Sequence, residues 1–365
     1  MNPRRIIFHS LAILALAAGA ATITNAQAQR TFVSVFGSDA NVASNCNNTS
    51  PCRSFTAAQT VTNTEGEIIA ITSGGYGQVT VTKGITLIGT GVSASLTTPA
   101  GGDGITVNIP PADPGKRRVV LRDLRVQGLG LGNNGVQVND VGTLYIQNCT
   151  IERFLGHGIN WNTSTQGRLI MSNSISRDNN KNGLRVHANA QTRVTIDDSH
   201  FLRNDEDGIA FDSGNIQASI SDSVSSDNVG TGVDVDSSAS SRVAITRTTA
   251  SNNGIDGYRV TKGELNIEYC TASGNGDDGM EVEDVLAARG ESFSELNASL
   301  RRHHAVFQVA GPPTIRVALS LSTNNKDCGF SQQGTGVFER PTAQGSMVRG
   351  NSTDVCGTVT TFPAN

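Results

Sequence analysis

Two consecutive stretches of the chain read GLRVHANAQTRVTIDDSHFLRNDED over residues 183–207 and GIAFDSGNIQASISDSVSSDNVGT over residues 208–231. Aligned on their first glycine, both have apolar residues one and three positions later. Both also have an asparagine four positions before the glycine that begins the following repeat. An apolar period of two is typical of a β-strand, because alternate side chains of a strand point to opposite faces. The two stretches are therefore copies of one strand-containing repeat.

The repeat covers much of the chain with a period of about 25 residues. Its marker glycines are Gly135, Gly158, Gly183, Gly208, Gly232, Gly257 and Gly279, separated by 23, 25, 25, 24, 25 and 22 residues. The asparagines four residues before the last five of them are Asn179, Asn204, Asn228, Asn253 and Asn275. This pattern predicts a solenoid, in which stacked coils share a core that one coil alone cannot bury. Asparagines stacked every ~4.8 Å can hydrogen-bond along their column.

The composition excludes several other classes of protein. The 365 residues include 40 glycines, and only 16% are charged and 5% aromatic, which is unlike a helical bundle or coiled coil. The formal charge is −4, so the chain lacks the excess of basic residues that is typical of nucleic-acid-binding proteins, and we expect no nucleic-acid partner.

The repeat resembles the right-handed parallel β-helix of the pectate-lyase-like superfamily, which has three strands per coil and an asparagine ladder at one turn. Residues 67–89 are similar to the first coil of many members. Residues 54–61 fit the short helix that plugs the N-terminal end in that family, with Ser54 as its N-cap. The expected fold is therefore all-β: a right-handed parallel β-helix with about 25 residues per coil and a short N-terminal capping helix.

The N-terminus predicts export. Arg4 and Arg5 precede an apolar stretch, and residues 26–28 read Ala-Gln-Ala, which is typical of a signal-peptidase site. We expect a signal peptide over 1–28 and a single β-helix domain over 29–365, secreted or periplasmic, with no membrane span after cleavage. Within that domain we place the cap at about 29–65 and the coils at about 66–360.

The repeat is interrupted between Gly279 and Gly329, which lie 50 residues apart, although Asn325 again stands four residues before Gly329. Residues 285–313 are therefore a divergent coil, a bulging loop or a segment of altered frame. His303 and His304 lie there without a Cys, Asp or Glu at a ligand spacing beside them, so we expect no metal site at this pair.

The six cysteines divide into two groups. In an exported protein we expect Cys46 to pair with Cys52 and pin the cap. Cys328 and Cys356 each precede a glycine one coil apart, and adjacent coils are close enough for a disulfide. Cys149 and Cys270 both lie nine residues before a marker glycine but five coils apart, so we expect two buried free thiols.

The strand that follows each marker glycine carries the candidate site. Side chains at its second and fourth positions point outward, which stacks Asp212 on Asp236 at about 5 Å and places Asp234 beside them. Arg185, His187 and Arg259 flank these acids. No aromatic side chain points outward on this strand, whereas Tyr145 and Tyr269 point outward elsewhere.

Three interpretations of these residues remain open. Asp212 and Asp236 could bind Ca²⁺ through their carboxylate oxygens. The same pair could act as acid and nucleophile on a glycosidic bond. Alternatively, the acids form a solvated face, paired with neighbours such as Arg259.

The family resemblance adds two expectations about chemistry. In lyases of this superfamily, Ca²⁺ neutralises a uronate carboxylate and a basic residue removes a ring proton, a role that Arg185, His187 or Arg259 could fill. Gly156-His157-Gly158 matches a short motif of polygalacturonase-like hydrolases, but its histidine occupies a slot that holds polar turn residues in the other coils.

We therefore predict a protein that engages an extended polysaccharide along an outward strand face, and whether it acts as a lyase or hydrolase stays open. The alternative is a non-catalytic structural or adhesive protein of the cell surface or matrix.

Overall fold

The computed structural model describes residues 27–112, 116–283, 314–318, 320–333, 337–341, 347–357 and 359–362. Residues 1–26 of the predicted signal peptide and the predicted divergent segment 285–313 lie outside the described residues. Within the described ranges, no helix has the length and hydropathy needed to cross a bilayer.

Almost all regular structure is β-strand, apart from a 3₁₀ helix at Asp39–Ser44 and helix α1 at Phe55–Val61. The first coils contain β1 (Ala28–Val33), β2 (Thr62–Ala70), β3 (Gly74–Gly75), β4 (Val79–Val81), β5 (Ile85–Ile88), β6 (Ala94–Thr97), β7 (Ile105–Asn108), β8 (Arg118–Arg122), β9 (Leu124–Gln127), β10 (Val136–Asp140), β11 (Thr143–Gln147) and β12 (Thr150–Glu152).

The central coils contain β13 (Ile159–Thr163), β14 (Gly167–Ser172), β15 (Ile175–Arg177), β16 (Leu184–Ala188), β17 (Thr192–Asp197), β18 (His200–Leu202), β19 (Ile209–Ser213), β20 (Ile216–Ser221), β21 (Val224–Ser226), β22 (Val233–Asp236), β23 (Arg242–Thr246), β24 (Thr249–Ser251), β25 (Tyr258–Lys262), β26 (Glu264–Glu268), β27 (Thr271–Ser273) and β28 (Met280–Glu283). The last coils contain β29 (Thr314–Ala318), β30 (Leu321–Thr323), β31 (Cys328–Gln333), β32 (Val337–Pro341), β33 (Met347–Arg349), β34 (Thr353–Cys356) and β35 (Val359–Phe362).

These strands form three long sheets. Each coil from β2–β4 to β32–β34 contributes one strand to each sheet, whereas β1 and β35 extend sheet A alone. Sheet A has 13 strands in the order β1-β2-β5-β8-β11-β14-β17-β20-β23-β26-β29-β32-β35. Sheet B has 11 strands, from β3 and β6 through every third strand to β33, and sheet C has 11 strands, from β4 and β7 to β34. Neighbouring strands are parallel and one coil apart in sequence. The predicted parallel solenoid is confirmed.

The predicted columns are also confirmed. The residues one and three positions after the marker glycines pair in register along sheet C, as Ile209 with Val233 and Phe211 with Val235. All four side chains are buried, together with Trp161 at the same position of an earlier coil. The core is therefore a set of stacked apolar columns inside the coil.

Close approach, not an unusual backbone angle, explains the marker glycines. A Cβ atom on Gly158, Gly208 or Gly279 would lie 2.0, 1.9 or 2.0 Å from a serine Oγ of the adjacent coil. Such contacts are far inside van der Waals distance, so only glycine fits where the chain enters each sheet C strand.

The asparagine column forms a continuous buried ladder. The Nδ2 of Asn204 donates to the Oδ1 of Asn228 at 2.9 Å, and the same Oδ1 accepts the backbone N–H of Asn204 at 3.0 Å. The ladder begins at Asn179 and also includes two residues beyond the predicted five, Asn325 and Asn351.

The structure decides among the alternatives for the interrupted repeat. Met280 pairs directly with Phe330, and Asn275 donates to Asn325 at 3.0 Å, so the coils of Gly279 and Gly329 are neighbours in the stack. The divergent-coil interpretation is therefore wrong, because no coil lies between them. The intervening segment is an insertion between β28 of sheet C and β29 of sheet A.

The predicted capping helix is confirmed. The Oγ of Ser54 accepts the N–H of Ala57 at 3.1 Å, as an N-cap does, and the ring of Phe55 packs edge-on against Tyr76 at 5.4 Å. The first strand of sheet A, Ala28–Val33, lies mostly within the range 29–65 that the sequence predicts for the cap, and its first residue is the last of the predicted signal peptide.

Both predicted disulfides are present, Cys46–Cys52 and Cys328–Cys356, with Cα–Cα distances of 4.9 and 6.0 Å. The sequence predicts that Cys328 and Cys356 occupy equivalent positions of adjacent coils. They do not, because Cys328 pairs in register with Thr353 and Cys356 pairs with Ser331. Cys149 and Cys270 are buried and free, as predicted.

Candidate functional site

The outer face of sheet C, the outward strand face of the sequence prediction, is recessed. Asp234 and Ala210, at the second position after a marker glycine, are buried. Residues of the turns that precede the sheet C strands line the sides of this recess, which forms a cleft of about 380 Å³. Its lining includes six carboxylates: Asp205, Glu206, Asp207, Asp212, Asp234 and Asp236.

Five of the six predicted site residues pair with one another, in two groups, whereas Asp236 pairs with a residue outside that set. Asp212 accepts hydrogen bonds from Arg185 at 2.6 Å and from His187 at 3.2 Å. One coil further, Asp234 accepts from Arg259 at 2.9 Å. Arg185 and Arg259 are therefore already engaged by acids of the neighbouring coil.

A register shift introduces one residue that sequence reasoning missed. The pairing between β22 and β25 slips after Val235, so that Asp236 pairs with Lys262 instead of Thr261. The Nζ of Lys262 donates to Asp236 at 2.8 Å. A constant repeat frame predicts Thr261 there, and no sequence signal marks the slip.

A second side-chain ladder runs along the residues that precede the marker glycines. In most coils the side chain at this position accepts the backbone N–H of the equivalent residue one coil further, as Asn134 does for His157 at 2.9 Å. The Nδ1 of His157 accepts the N–H of Asn182 at 3.3 Å. His157 therefore occupies a structural slot, and the hydrolase-motif interpretation of Gly156-His157-Gly158 has no support in this geometry.

The same ladder ends in a cluster of buried acids. Carboxylate oxygens of Asp256, Asp278 and Glu281 lie within 4.8 Å of one another, and all three residues are buried. A second group, Asp277, Asp278 and Asp327, shares Asp278 and has two exposed members. The acidic cluster, as we call these five residues, thus extends from the interior to the surface.

The acidic cluster is continuous with the predicted site through Arg259. Arg259 pairs in register with Asp234 on one side and with Glu281 on the other, so the three side chains occupy one column of sheet C. The charge of Arg259 also acts on Asp256.

Burial and mutual repulsion raise the pKa values of these acids. Burial first, and then the charges of Asp256, Asp278 and Glu283, raise the pKa of Glu281 well above its ordinary value. Burial likewise raises the pKa of Asp256, and it raises the pKa of Asp278 to about 6. Strongly perturbed acids grouped beside a cleft are typical of functional sites.

The cluster offers a donor set that fits a divalent cation. Oδ1 of Asp256 accepts the N–H of Asp278 at 3.0 Å. Oδ2 of the same carboxylate is buried without any hydrogen-bond partner among the described residues, and Asp256 is 0% exposed. Several carboxylate oxygens at one point are the ligands that Ca²⁺ prefers, and a buried unpaired carboxylate oxygen is costly without a ligand.

Sequence reasoning had centred the metal interpretation on Asp212 and Asp236, two coils away. The signal for the cluster was present in the columns, because Asp256 and Asp278 precede successive marker glycines and Glu281 follows the second of them. Whether these three side chains meet depends on how the turns that carry Asp256 and Asp278 pack against the strand that carries Glu281. The columns alone do not predict that packing.

Residues 134–287 match the family model described as "Right handed beta helix region". No curated protein sequence is significantly similar to the chain.

The fold is also similar to solved structures. The crystal structure of pectate lyase Pel9A gives a TM-score of 0.57 at 15% identity, covering 86% of this chain and 79% of that one. The A-module of the mannuronan C-5 epimerase AlgE6 from Azotobacter vinelandii gives 0.56 at 13% identity, covering 85% and 95%. At these identities the similarity shows a shared fold, the right-handed parallel β-helix that the repeat had predicted.

Proposed function

We propose that this right-handed parallel β-helix protein is exported and engages an extended acidic polysaccharide along the sheet C cleft, with a divalent cation held by Asp256, Asp278 and Glu281. The observation that carries the proposal is the buried Oδ2 of Asp256, which has no hydrogen-bond partner in the described part of the chain and lies among these acids. The names of the structural neighbours, which refer to pectate and mannuronan, support a polysaccharide ligand.

The charge of the cleft explains why a cation is part of the proposal. Six carboxylates line the cleft, and only a few basic side chains, such as Arg259 and Lys262, lie against them. An acidic polymer is repelled by such a surface unless a cation lies between the two sets of carboxylates. When bound, Ca²⁺ supplies that charge and links the protein to the polymer.

Proton binding and cation binding compete at the acidic cluster. The raised pKa values keep part of the cluster protonated near neutral pH, and a cation requires the ionised form. Affinity for Ca²⁺ therefore increases as pH rises from 6 to 8, and each binding event releases protons.

Binding is supported better than cleavage. The resemblance assigns proton removal to Arg185, His187 or Arg259, but both arginines are held in ion pairs with acids of the neighbouring coil. The same ion pairs favour the second candidate function, a non-catalytic surface or matrix protein, because Asp212, Asp234 and Asp236 each have a basic partner.

The proposal is tested by measuring binding of the purified protein to alginate and pectate, with hyaluronan and cellulose for comparison, in Ca²⁺ and in EDTA at pH 6 and pH 8. We expect Ca²⁺-dependent retention on a polyuronate, strongest at pH 8. Unsaturated products mark a lyase, and reducing ends alone mark a hydrolase. Retention without products indicates engagement only, and no retention in either condition leaves the structural alternative.

Glu281→Gln tests whether the cluster is the cation site, with the exposed Glu65→Gln as control. Because folding raises the pKa of Glu281, its contribution destabilises the protein increasingly as pH rises above the unfolded value of about 4.3. We expect Glu281→Gln to raise Tm at pH 8 without cation and to abolish the Tm increase that Ca²⁺ gives the wild type. An equal Ca²⁺ effect on wild type and variant would place the cation elsewhere.

A further inference from the structure

The outer face of sheet A carries a column of arginines. Arg118, Thr143, Arg168 and Arg193 follow one another in register on adjacent strands. Arg168 and Arg193 are direct neighbours, so their backbones are ~4.8 Å apart. Both side chains are exposed and carry the same charge.

These arginines have no counter-charge among the residues that the structure describes. The guanidinium groups of Arg118, Arg168 and Arg193 form no hydrogen bond or ion pair with any residue that the structure describes. Many other arginines of the described coils pair with acids, as in Arg30–Glu67, Arg185–Asp212, Arg203–Asp178, Arg242–Glu264, Arg247–Asp222 and Arg259–Asp234. Like charges directly opposite on neighbouring strands are destabilising, so this arrangement costs stability that no acid among the described residues offsets.

An apolar and hydroxyl-bearing column lies beside the arginines. Tyr145 pairs in register with Ile170, and Ile170 pairs with Thr195, all on the outer face and two residues along the strand from the arginines. A shallow cleft of about 520 Å³ lies here, and Arg168, Ile170, Arg193 and Thr195 are part of its lining. We call Arg118, Tyr145, Arg168, Ile170 and Arg193 the sheet A patch.

We propose that the sheet A patch is a second polysaccharide-binding site, which holds an acidic glycan directly and without a metal ion. Carboxylate or sulfate groups accept hydrogen bonds from the guanidinium forks of Arg168 and Arg193, and a sugar ring packs on Tyr145. This inference does not rest on the sheet C cleft, because the two sites have opposite charge and lie on different sheets.

The geometry favours a repeating, acidic, extended ligand over other anionic partners. Stacked coils place Arg118, Arg168 and Arg193 in one column, with Thr143 between the first two, and such a linear row matches a polymer that itself repeats. The column of arginines is one residue wide, and the chain as a whole carries a formal charge of −4. The sheet A patch therefore lacks the broad basic surface that nucleic acids require.

The test is binding of the protein to alginate in EDTA at 20 and 200 mM salt, with dextran as the neutral control. Arg168→Gln/Arg193→Gln removes the direct pair, and Arg203→Gln/Arg247→Gln removes two exposed, ion-paired arginines as a charge-matched control. We expect the first variant to lose at least about tenfold in affinity without losing thermal stability, and the control to change by less than about threefold. Equal losses in both variants would overturn the proposal, since they would indicate a general charge effect.

A second pair of variants tests the aromatic contact. Tyr145→Ala should weaken alginate binding in EDTA. The control Tyr269→Ala, which changes an outward tyrosine outside the sheet A patch, should not weaken it. Duplex DNA or anionic vesicles binding as tightly as alginate would overturn the choice of a polysaccharide. Failure here is distinguishable from failure of the sheet C proposal, because Glu281→Gln affects only the Ca²⁺-dependent binding.

Discussion

At the scale of single residues, His157 shows how position in a coil determines a side chain's role. Its Nδ1 accepts a backbone N–H, the same function that Asn134 and Asn182 perform in neighbouring coils. Burial, and then the positive charges of Arg185 and Lys181, lower the pKa of His157 to about 3. The neutral ring is therefore the form that the fold requires.

This pKa shift predicts acid sensitivity. Because the folded pKa lies below the unfolded value of about 6.5, the stabilisation from His157 is complete above pH 6.5 and is lost as pH falls toward 3. We expect His157→Asn, which retains an acceptor, to match the wild type at pH 7 and to exceed its Tm at pH 5.

The companion variant His157→Ala removes the acceptor. The buried N–H of Asn182 then has no partner, so we expect a loss of about 1–3 kcal/mol at pH 7 in urea denaturation. If the Asn and Ala variants behaved alike at pH 7, the ladder bond would not contribute to stability.

At the scale of the element, the asparagine ladder fixes the turn between sheets B and C. Each ladder amide donates to the next coil and accepts from the previous one, so the turns hold one another at the same height. The marker glycines allow this close packing because a Cβ there would collide with the adjacent coil.

Asn228→Ala tests the ladder at its centre. The substitution leaves the backbone N–H and the Nδ2 of Asn204 without their acceptor. It also removes the side-chain donor to Asn253 Oδ1, which keeps only the backbone N–H of residue 228, all in a buried turn. We expect a loss of about 2–3 kcal/mol in the free energy of unfolding, measured by urea denaturation. The control Asn162→Ala, at an exposed strand position, should change it by less than about 0.5 kcal/mol. Equal effects would contradict a ladder-specific contribution.

At the scale of the whole molecule, the solenoid needs protection at its ends. Coils in the middle are covered on both sides, whereas an end coil exposes unpaired strand edges. Helix α1 and Cys46–Cys52 lie at the N-terminal end, and Cys328–Cys356 joins two of the last coils.

The two disulfides should contribute unequally. They close loops with sequence separations of 6 and 28, and the loop-entropy relation gives about 2 and about 3.5 kcal/mol for such lengths. We therefore expect Cys328→Ala/Cys356→Ala to lower the free energy of unfolding more than Cys46→Ala/Cys52→Ala. An unchanged melting curve for the C-terminal variant would mean that the last coils unfold separately from the rest.

The whole molecule also combines surfaces of opposite charge. The cleft on sheet C is lined by acids, whereas the sheet A patch presents arginines that have no acidic partner within the described ranges. One chain thus offers a cation-dependent surface and a direct anion-binding surface, and an extended polymer can lie along either.

Much of this architecture was readable from the sequence. Glycine, asparagine and alternating apolar residues recur at fixed spacings, and in a parallel stack a fixed spacing becomes a column of neighbours. Ile209 beside Val233 and Asn204 beside Asn228 followed from counting alone. The capping helix followed from Ser54 and from the family resemblance.

Other features depend on places where the chain departs from a constant repeat spacing. Lys262 faces Asp236 because one strand slips by a residue, and the coils of Gly279 and Gly329 are adjacent although 50 residues separate the two glycines. Periodicity gives no sign of the slip. It marks the interruption before Gly329 but does not decide which coils are neighbours.

The sequence by itself determined the repeat, the parallel stacking and the buried columns, because these depend on residues that recur at one interval along the chain. Only the tertiary structure decided which charges meet. Asp256, Asp278 and Glu281 converge, and Arg168 lies beside Arg193, because a turn folds over a strand and side chains from different coils share one space. Distance and burial govern electrostatic interactions, and both are set by the folded chain.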